Sequence, residues 1–157
     1  MAPMTVRPAI ATDRAWILPL SARLHAFGPP TFRPRDRMDA AVAAWIDEAL
    51  QSRGENRIVL VAEDEERRPA GFIYVHEAAD FFTGETHGHV SDVVVAAGAE
   101  GGGVGRTLMA AGEEWSRARG HRLLTLNVFE KNVRARTLYE KLGFESDTSK
   151  MVKVLRR

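Results

Sequence analysis

Cysteine is absent from this chain of 157 residues. Its absence excludes disulfide bonds, zinc–thiolate sites, thiol catalysis and iron–sulfur clusters that are bound through thiolates. The chain also has no apolar run of the roughly 18 residues that a membrane span requires, and its N-terminal residues lack the charged and apolar regions of a signal peptide. These absences predict a cytoplasmic protein that does not associate with membranes.

An excess of one charge sign is absent too. Lysine and arginine together number 22 and aspartate and glutamate 21, so the formal net charge is +1. This balance excludes a chain dominated by a basic surface for nucleic acid or by an acidic tail. Because domains have about 100–200 residues, and no repeat, low-complexity tract or linker divides the chain, we expect one domain over residues 1–157 with its own hydrophobic core.

The spacing of apolar residues predicts both strands and helices. The predicted strands lie at residues 5–7, 58–62, 70–75, 87–95 and 123–128, with two closing strands at Phe144 and at 151–155. The predicted helices begin at Thr12 or Asp13, at Asp36 or Asp39, at the glycine cluster around Val104, and at Asn132, and the last three end near Gly54, Gly120 and Gly143. This order of elements predicts a mixed α/β protein built in layers.

Four glycines within residues 101–105 separate a predicted strand from a predicted helix. Such a turn lets backbone N–H groups converge on a ligand, and the helix N-terminus adds a partial positive charge, so the turn suits phosphate or pyrophosphate. A flexible turn with glycines for close packing is the alternative. The two common nucleotide motifs fit poorly, because Arg106-Thr107 follow at the wrong interval for a P-loop and Arg106 replaces the third glycine of G-x-G-x-x-G.

The glycine turn and a later segment carry a family resemblance. The turn reads Val93-Val94-Val95 followed by Glu100-Gly101-Gly102-Gly103-Val104-Gly105. The later segment comprises Leu126-Asn127-Val128, Asn132, Ala135 and the run Leu138-Tyr139-Glu140-Lys141-Leu142-Gly143-Phe144. Both resemble the GNAT superfamily of N-acetyltransferases, whose signature is Q/R-x-x-G-x-G/A after a strand. The opening Val6-Arg7-Pro8-Ala9 with Asp13 is also a common family start, so the resemblance covers nearly the whole chain.

The resemblance implies a mixed, mostly antiparallel sheet of about seven strands flanked by about four helices. A coenzyme-binding gap is expected between two parallel strands, the one that ends at Val95 and the one through Leu126. The implied reaction transfers the acetyl group of acetyl-CoA to a primary amine of a small molecule or peptide, by direct attack and without a metal. A catalytically degenerate acyl-CoA-binding sensor and an unrelated nucleotide-binding protein are the alternatives. Dimers are common in the family, so a homodimer is a further option.

The resemblance also implies which residues hold the coenzyme. Backbone groups of Val93 and Val95 would pair with the pantetheine arm, and the Val95 amide would hold the thioester oxygen. Asn132 would contact the same arm, and Ala135 would let it pass closely. The predicted coenzyme-binding residues are Val93, Val95, Gly101, Gly102, Gly103, Val104, Gly105, Arg106, Thr107, Asn132, Ala135 and Tyr139. A core role for the two valines and a helix N-cap role for Asn132 are the structural alternatives.

Glu100 departs from the family pattern, since the family has glutamine or arginine at its position. A carboxylate repels a pyrophosphate. We therefore expect Glu100 to point away from the coenzyme, the backbone amides of residues 101–107 to carry the binding, and Arg106 to supply the cation. A solvated arginine on the helix surface is the alternative for Arg106.

Two residues are predicted to act in catalysis. Tyr139 matches the family tyrosine that donates a proton to the departing thiolate, and a phenol with a pKa of about 10 is protonated at neutral pH. The resemblance implies His89 as the base, because some family members carry a glutamate or histidine base at its position before Val95, alternate residues from His89 to Val95 share one strand face, and histidine titrates at about pH 6.5. Glu85 and His87, closer to the loop, are alternatives that could carry a water. Asp92 is expected on the opposite face, where it would anchor the fold or a loop. A packing role for Tyr139 and an exposed His89 without a role are the alternatives.

The acceptor amine is expected between two loops that are rich in phenylalanine, with Asp80 and Glu85 available to attract a cation. The predicted acceptor-binding residues are Phe27, Phe32, Phe81, Phe82 and Glu85. The same phenylalanines would also suit a core or a dimer interface. His87 and His89 project together from one strand, but no further ligand is spaced convincingly, so no metal site is expected.

Overall fold

The computed structural model describes residues 3–27, 29–52 and 54–156. A five-stranded sheet forms its centre, with the strands in chain order across the sheet. The strands are β1 (Thr5–Pro8), β2 (Arg57–Glu63), β3 (Pro69–Ala79), β4 (Thr86–Val95) and β5 (Leu124–Leu126). Neighbouring strands are antiparallel except β4 and β5, which pair in parallel. The prediction of a mixed, mostly antiparallel sheet is therefore confirmed.

Helices pack on both faces of this sheet. In the described residues they are α1 (Arg14–Leu20), α2 (Arg35–Gln51), α3 (Val104–Ala118) and α4 (Val133–Lys141), with 3-10 turns at Ala11–Asp13, Ser21–His25 and Ala97–Ala99. Helix α2 begins at Arg35 with Pro34 as its N-cap, one residue before the predicted Asp36, which lies in the first turn. No helix within the described ranges is long and apolar enough to cross a bilayer.

The sheet separates two hydrophobic cores. Because side chains alternate between the faces of a strand, β3 sends Phe72 and Tyr74 into a core beneath α1 and α2, where they pack with Ile46. The same strand sends Ile73 to the opposite face, where it packs with Leu108 of α3. Helices α1 and α2 therefore cover one face of the sheet, and α3 covers the other.

A β-bulge at Ser91 interrupts the pairing of β4 with β3. On one side of the bulge His89 pairs with His76, and on the other side Asp92 pairs with Tyr74. Ser91 is the extra residue, since it has no opposite partner in this register. One extra residue reverses the alternation of side chains along the bulged strand.

The bulge decides which face of the sheet each candidate residue occupies. Directly paired residues point to the same face, so His89 and Asp92 both lie on the face covered by α1 and α2. Val93 and Val95 pack against the core beneath α3 instead. The prediction that His89 shares a face with Val93 and Val95, opposite Asp92, is therefore wrong.

The predicted closing strands are not formed. Within the described part of the chain, residues 144–156 contain no strand, and Met151 and Leu155 are 93% and 79% exposed. A segment that is rich in apolar residues forms a strand only when a neighbouring edge completes its hydrogen bonds. Strand β5 offers an edge of three residues rather than the predicted 123–128. The sheet accordingly has five strands rather than about seven.

A hydrogen-bonded ion-pair network fixes β1 to the turn that precedes α1 and to β2. The Arg7 guanidinium donates to both carboxylate oxygens of Asp13, at 2.7 and 3.0 Å, and to Glu63 at 2.7 Å. Asp13 also accepts the Ile10 N–H at 2.7 Å. The bonds from Arg7, more than that from Ile10, hold the pKa of the Asp13 carboxyl below its usual range because they stabilise its ionised form.

Replacing Asp13 by asparagine is expected to lower the free energy of unfolding by about 1–3 kcal/mol at neutral pH, because Arg7 loses a buried charged acceptor. The folded-state pKa lies below the unfolded value of 3.8. The contribution of the carboxylate is therefore complete above that value and is lost as the pH falls through the folded-state pKa. Urea unfolding of both proteins at neutral pH and below about pH 3 measures the difference.

The matched control for this prediction is Asp36→Asn, which neutralises an exposed carboxylate on α2 and should change the unfolding free energy little. The role given to the ionised carboxylate would be contradicted if wild type and Asp13→Asn differed in unfolding free energy by the same amount in acid as at neutral pH.

Candidate active site

A cavity opens where β4 and β5 separate. The two strands pair in parallel from Gly88 to Val90, opposite Leu124–Leu126. Beyond this short ladder β4 continues to Val95, whereas β5 has ended. The gap predicted between the strand that ends at Val95 and the parallel strand through Leu126 is therefore present, and its cavity has a volume of about 580 Å³.

The wall of this cavity comes from several separate parts of the chain. They are the 3-10 turn after α1, helix α2, the end of β4, the glycine turn with the start of α3, and the segment from β5 into α4. The described wall residues are Arg23, Leu24, His25, Phe27, Val42, Ser91–Val95, Ala99–Gly101, Gly103–Arg106, Asn127–Phe129, Asn132, Arg134, Ala135, Leu138 and Tyr139.

The free edge of β4 presents backbone groups to the cavity. The Ala96 N–H donates to the Ala70 carbonyl at 2.8 Å, so the backbone groups of Ala96 face β3. Hydrogen-bonding directions alternate along a strand in an antiparallel pair. The N–H and C=O groups of Val93 and Val95 therefore face the side on which β5 has ended, where an extended ligand can pair with them as another strand would.

The glycine turn adds free backbone donors at one end of the cavity. Gly101 and Gly103 have φ angles of +79° and +81°, a left-handed conformation that favours glycine. Helix α3 begins directly afterwards, so the N–H groups of Val104–Arg106 have no carbonyl partner within the helix. The Thr107 N–H donates to the Gly103 carbonyl at 3.0 Å. Thr107 therefore has no free amide for a ligand, and Gly102 lies outside the described cavity wall; both placements differ from the prediction.

Glu100 lies on the cavity wall and contacts arginines from two other parts of that wall. Its carboxylate accepts a hydrogen bond from Arg23 and lies 3.7 Å from the Arg134 guanidinium. Arg23 also donates through Nε to the Val95 carbonyl at 3.0 Å. These two arginines balance the charge of the Glu100 carboxylate, and its orientation toward the coenzyme stays a prediction. Arg106 is a third arginine on the same wall.

Helix α4 contributes Tyr139, Ala135 and the capping residue Asn132 to the wall. Burial raises the pKa of the Tyr139 phenol to about 12, and its ring lies edge-on to Phe144 with centroids 5.9 Å apart. The Asn132 side-chain oxygen accepts the Ala135 N–H at 3.2 Å. Asn132 is thus the N-cap of α4, and the NH₂ group of the same side chain is left to donate.

His89 and Asp92 differ in their access to the cavity. His89 is not among the described wall residues, and its Nδ1 lies 2.7 Å from the Thr125 hydroxyl. Burial, with smaller effects from neighbouring histidines, lowers the pKa of His89 to about 4. Asp92 does lie on the wall, where burial raises the pKa of its carboxyl to about 6.

Of the predicted acceptor-binding residues, Phe27 lies on the cavity wall, and the other four are not among the wall residues described. Phe81 and Phe82 are 92% and 82% exposed and contact each other edge-on, with centroids 5.3 Å apart. Phe32 contacts the Arg33 guanidinium. Glu85 pairs with Arg122 through two hydrogen bonds of 3.0 and 2.8 Å, outside the cavity.

Several wall residues carry no motif that would reveal them in the sequence. Arg23, Leu24 and His25 occupy the 3-10 turn after α1, and Val42 comes from α2. The fold brings these residues opposite β4, so spacing along the chain could not indicate them. Within the described residues, no group of three histidine or carboxylate side chains is placed to hold a metal ion.

Comparisons with known proteins identify the family to which this fold and this cavity belong. Residues 22–144 match the acetyltransferase (GNAT) family, and the chain belongs to this family. The uncharacterized N-acetyltransferase YhfO of Bacillus subtilis is 29% identical over 147 residues, which cover 92% of each chain. A mycothiol acetyltransferase of Saccharomonospora viridis is 40% identical over 89 residues, 55% of this chain and 29% of that protein.

Solved structures share the same fold over almost the entire chain. A putative acetyl transferase from Pyrococcus furiosus superposes with a TM-score of 0.78 at 22% identity, covering 98% of this chain and 100% of that one. The aminoglycoside N-acetyltransferase AAC(6')-Iy in complex with CoA superposes with a TM-score of 0.72 at 21% identity, covering 100% and 97%. The GNAT fold predicted from the sequence is therefore confirmed.

Proposed function

We propose that this protein transfers the acetyl group of acetyl-CoA to a primary amine by direct attack in a ternary complex. The observation that carries the proposal is the cavity between β4 and β5, which joins a free strand edge, a helix N-terminus and Tyr139. When bound, acetyl-CoA supplies the activated acetyl group as a thioester. Its extended arm and its pyrophosphate match the strand edge and the helix N-terminus in chemistry.

The residues on the wall fit the two ends of this coenzyme. Backbone groups of Val93 pair with the amides of the extended arm, as an added strand would. The Val95 carbonyl accepts a hydrogen bond from Arg23, so Val95 contributes its N–H, which faces the thioester oxygen. The free amides of Val104–Arg106 bind the pyrophosphate, because a helix N-terminus favours an anion. The NH₂ group of Asn132 donates to the arm, and Ala135, with its small side chain, lets the arm pass close to α4.

The chemistry needs three proton transfers and the stabilisation of one developing charge. An amine attacks only as its neutral form, so the acceptor ammonium first loses a proton. As the C–N bond forms and the C–S bond breaks, Tyr139 gives its phenolic proton to the departing sulfur, and the second nitrogen proton restores the phenol. The backbone N–H of Val95 stabilises the charge that develops on the thioester oxygen.

Asp92 is a better candidate than His89 for the residue that accepts the first proton. His89 lies away from the described wall, and a pKa of about 4 makes its imidazole a weak base at neutral pH. Asp92 lies on the wall, and a carboxyl pKa of about 6 suits proton acceptance near neutrality.

Thermal unfolding with excess acetyl-CoA tests the coenzyme assignment. At about 100 times the dissociation constant the ligand adds about 2.7 kcal/mol to the free energy of unfolding, which should raise the midpoint by roughly 5–10 °C. ATP and NAD in parallel should shift the midpoint little. A shift with either of them and none with acetyl-CoA would contradict the proposal.

Amine-dependent release of CoA tests the transfer itself. Because the chain contains no cysteine, a thiol reagent reports the released CoA without background from the protein. Release that depends on an added amine supports an enzyme. A midpoint shift with acetyl-CoA but no release with any amine would favour the acyl-CoA-binding sensor.

A further inference from the structure

Strand β4 continues beyond the end of its pairing with β5, so its last residues have no neighbouring strand on that side. The parallel ladder ends at Val90, whereas β4 ends at Val95. Backbone groups on such an edge need other hydrogen-bond partners. The Val95 carbonyl has one, because the Nε–H of Arg23 donates to it at 3.0 Å. A side chain from the 3-10 turn after α1 therefore takes the place of a neighbouring strand at this point.

The peptide group that joins Val95 to Ala96 is held from both sides. Its carbonyl oxygen accepts the bond from Arg23, and its N–H donates to the Ala70 carbonyl of β3 at 2.8 Å. A peptide group is planar, so two bonds in opposite directions fix the orientation of the whole plane. The N–H of Val95 lies one peptide group earlier, on the same edge of β4 as the Val95 carbonyl. Its direction therefore depends on how firmly the end of β4 is held.

Arg23 is itself held in place by Glu100. The guanidinium carries its N–H donors in a rigid planar fork; Nε–H donates to Val95, and the neighbouring Nη2 donates to the Glu100 carboxylate. The Arg23 and Glu100 side chains are 29% and 33% exposed, so water screens this ion pair only in part. Arg134 lies 3.7 Å from the same carboxylate, but its side chain is 63% exposed, and an exposed ion pair contributes little. Glu100 therefore acts mainly on Arg23.

We propose that Arg23 is a positioning residue for acetyl transfer, which holds the Val95 N–H in the direction of the thioester oxygen, and that Glu100 in turn positions Arg23. This inference rests on the proposed acetyltransfer. A donor that is fixed before the reaction stabilises the developing oxyanion without reorganising as the charge forms. Arg23 acts through the backbone of β4 and contacts no reacting atom. The carboxylate at position 100, where the GNAT family has glutamine or arginine, thereby gains a role in this chain.

Arg23→Met tests the positioning by steady-state kinetics. Methionine keeps an unbranched side chain but has no N–H donor. We expect kcat to fall by about 10–100-fold, because a displacement of about 1 Å at a reacting centre can cost about 10²-fold. The KM for acetyl-CoA should stay close to that of wild type, since Val93 and the N-terminus of α3 still bind the coenzyme. CoA release is measured with hexylamine, glucosamine and a lysine-containing peptide, and the amine that wild type acetylates fastest is used for every variant.

Arg14→Met is the matched control. Arg14 donates through the same two nitrogens, Nε and Nη2, to Asp47 at 2.7 and 2.8 Å. The Arg14 side chain is 53% exposed, and Arg14 is not among the described wall residues. The substitution removes an equivalent guanidinium fork from outside the cavity, so kcat should remain near the wild-type value.

The vibration of the bound thioester carbonyl tests the same N–H without an acceptor amine. A hydrogen bond to a carbonyl oxygen lowers its stretching frequency, which infrared difference spectroscopy measures on acetyl-CoA that carries an isotope label in this group. We expect a lower frequency in wild type and Arg14→Met than in Arg23→Met. Partial unfolding would weaken the band without moving it, so a merely structural role of Arg23 would leave the frequency unchanged.

Two further variants separate positioning from loss of the fold. In Arg23→Ala, added ethylguanidinium should restore part of kcat, whereas tetramethylammonium, which has the charge but no N–H donor, should not. In Arg23→Lys the charge remains without the planar fork, so kcat should stay below wild type and the carbonyl frequency above it. Equal effects of the two cations on Arg23→Ala, or wild-type values in Arg23→Lys, would overturn the inference.

Glu100→Gln tests the second part of the inference. The amide keeps an acceptor oxygen but loses the charge that strengthens the bond from Arg23, so kcat should fall less than in Arg23→Met. Adding Glu100→Gln to Arg23→Met should cause no further loss, because Glu100 acts through Arg23. Losses that multiply in the double variant would contradict the role of Glu100.

The outcomes separate this inference from the proposed function. An unchanged kcat and an unchanged carbonyl frequency in Arg23→Met would overturn the inference alone. A raised KM for acetyl-CoA with an unchanged kcat would make Arg23 a coenzyme contact instead, and would also overturn it. Loss of both the acetyl-CoA midpoint shift and all amine-dependent release in wild type would instead overturn the proposed function.

Discussion

A Tyr139→Phe variant is expected to lose most of its turnover, with kcat reduced by about 10²–10⁴-fold, the range for removal of a general acid. The phenol lies on the cavity wall, and burial raises its pKa to about 12, so it is protonated throughout the physiological range and can donate to the departing thiolate. Phenylalanine keeps the ring and its edge-on contact with Phe144. Steady-state CoA release measures kcat, and thermal unfolding with acetyl-CoA measures coenzyme binding, which should be unchanged.

The chain provides a matched control, because it contains one other tyrosine. Tyr74 is 1% exposed in the core beneath α1 and α2 and is not among the described wall residues. Tyr74→Phe removes the same hydroxyl from a buried site and should leave kcat near the wild-type value. Wild-type turnover in Tyr139→Phe would assign the proton donor to another group or to water.

A Gly71→Ala variant is expected to lose about 1–3 kcal/mol of unfolding free energy, the usual range for overpacking. An added Cβ at Gly71 would lie 2.6 Å from the backbone carbonyl oxygen of Val94 and about 3 Å from the side chains of Val104 and Leu108. The nearest obstacle is backbone of β4, so the strand itself must move. Thermal unfolding should show a midpoint lowered by roughly 2–4 °C for each kcal/mol.

Gly98→Ala isolates the steric cause of this effect. A Cβ at Gly98 meets no atom within 4 Å, and neither Gly98 nor Gly71 has a left-handed φ. The two substitutions therefore differ in the space available rather than in the backbone conformation required. Equal midpoints for the two variants would show that β3 and β4 separate more easily than their close approach indicates.

The sequence predicted those parts of the site that depend on neighbouring residues. The glycine turn ahead of α3 follows from residues 101–105, because a left-handed turn and a helix start are local properties. Asn132 caps α4 through the Ala135 amide, three residues away. Tyr139 lies on the wall because α4 keeps a helical spacing from that cap. The family resemblance joined these local features into one fold.

Interactions between distant parts of the chain could not be predicted from the sequence in the same way. The side-chain directions of His89 and Asp92 depend on one extra residue in β4, and no residue type marks a bulge at Ser91. Residues 151–155 are apolar apart from Lys153, yet a strand also needs an adjacent edge, which composition does not reveal. The prediction of the number of strands failed for that reason.

By itself the sequence determined the class of protein, the turn that suits an anion and the tyrosine of α4, because each is encoded over short spacings. Only the tertiary structure decided the surroundings of the carboxylates. Glu100 meets Arg23 across 77 residues of chain, whereas Asp92 is buried on the cavity wall, where burial raises the pKa of its carboxyl. The pKa of a charged group depends on the groups that the fold packs around it. Those neighbours are distant in the sequence, so the sequence alone does not predict them.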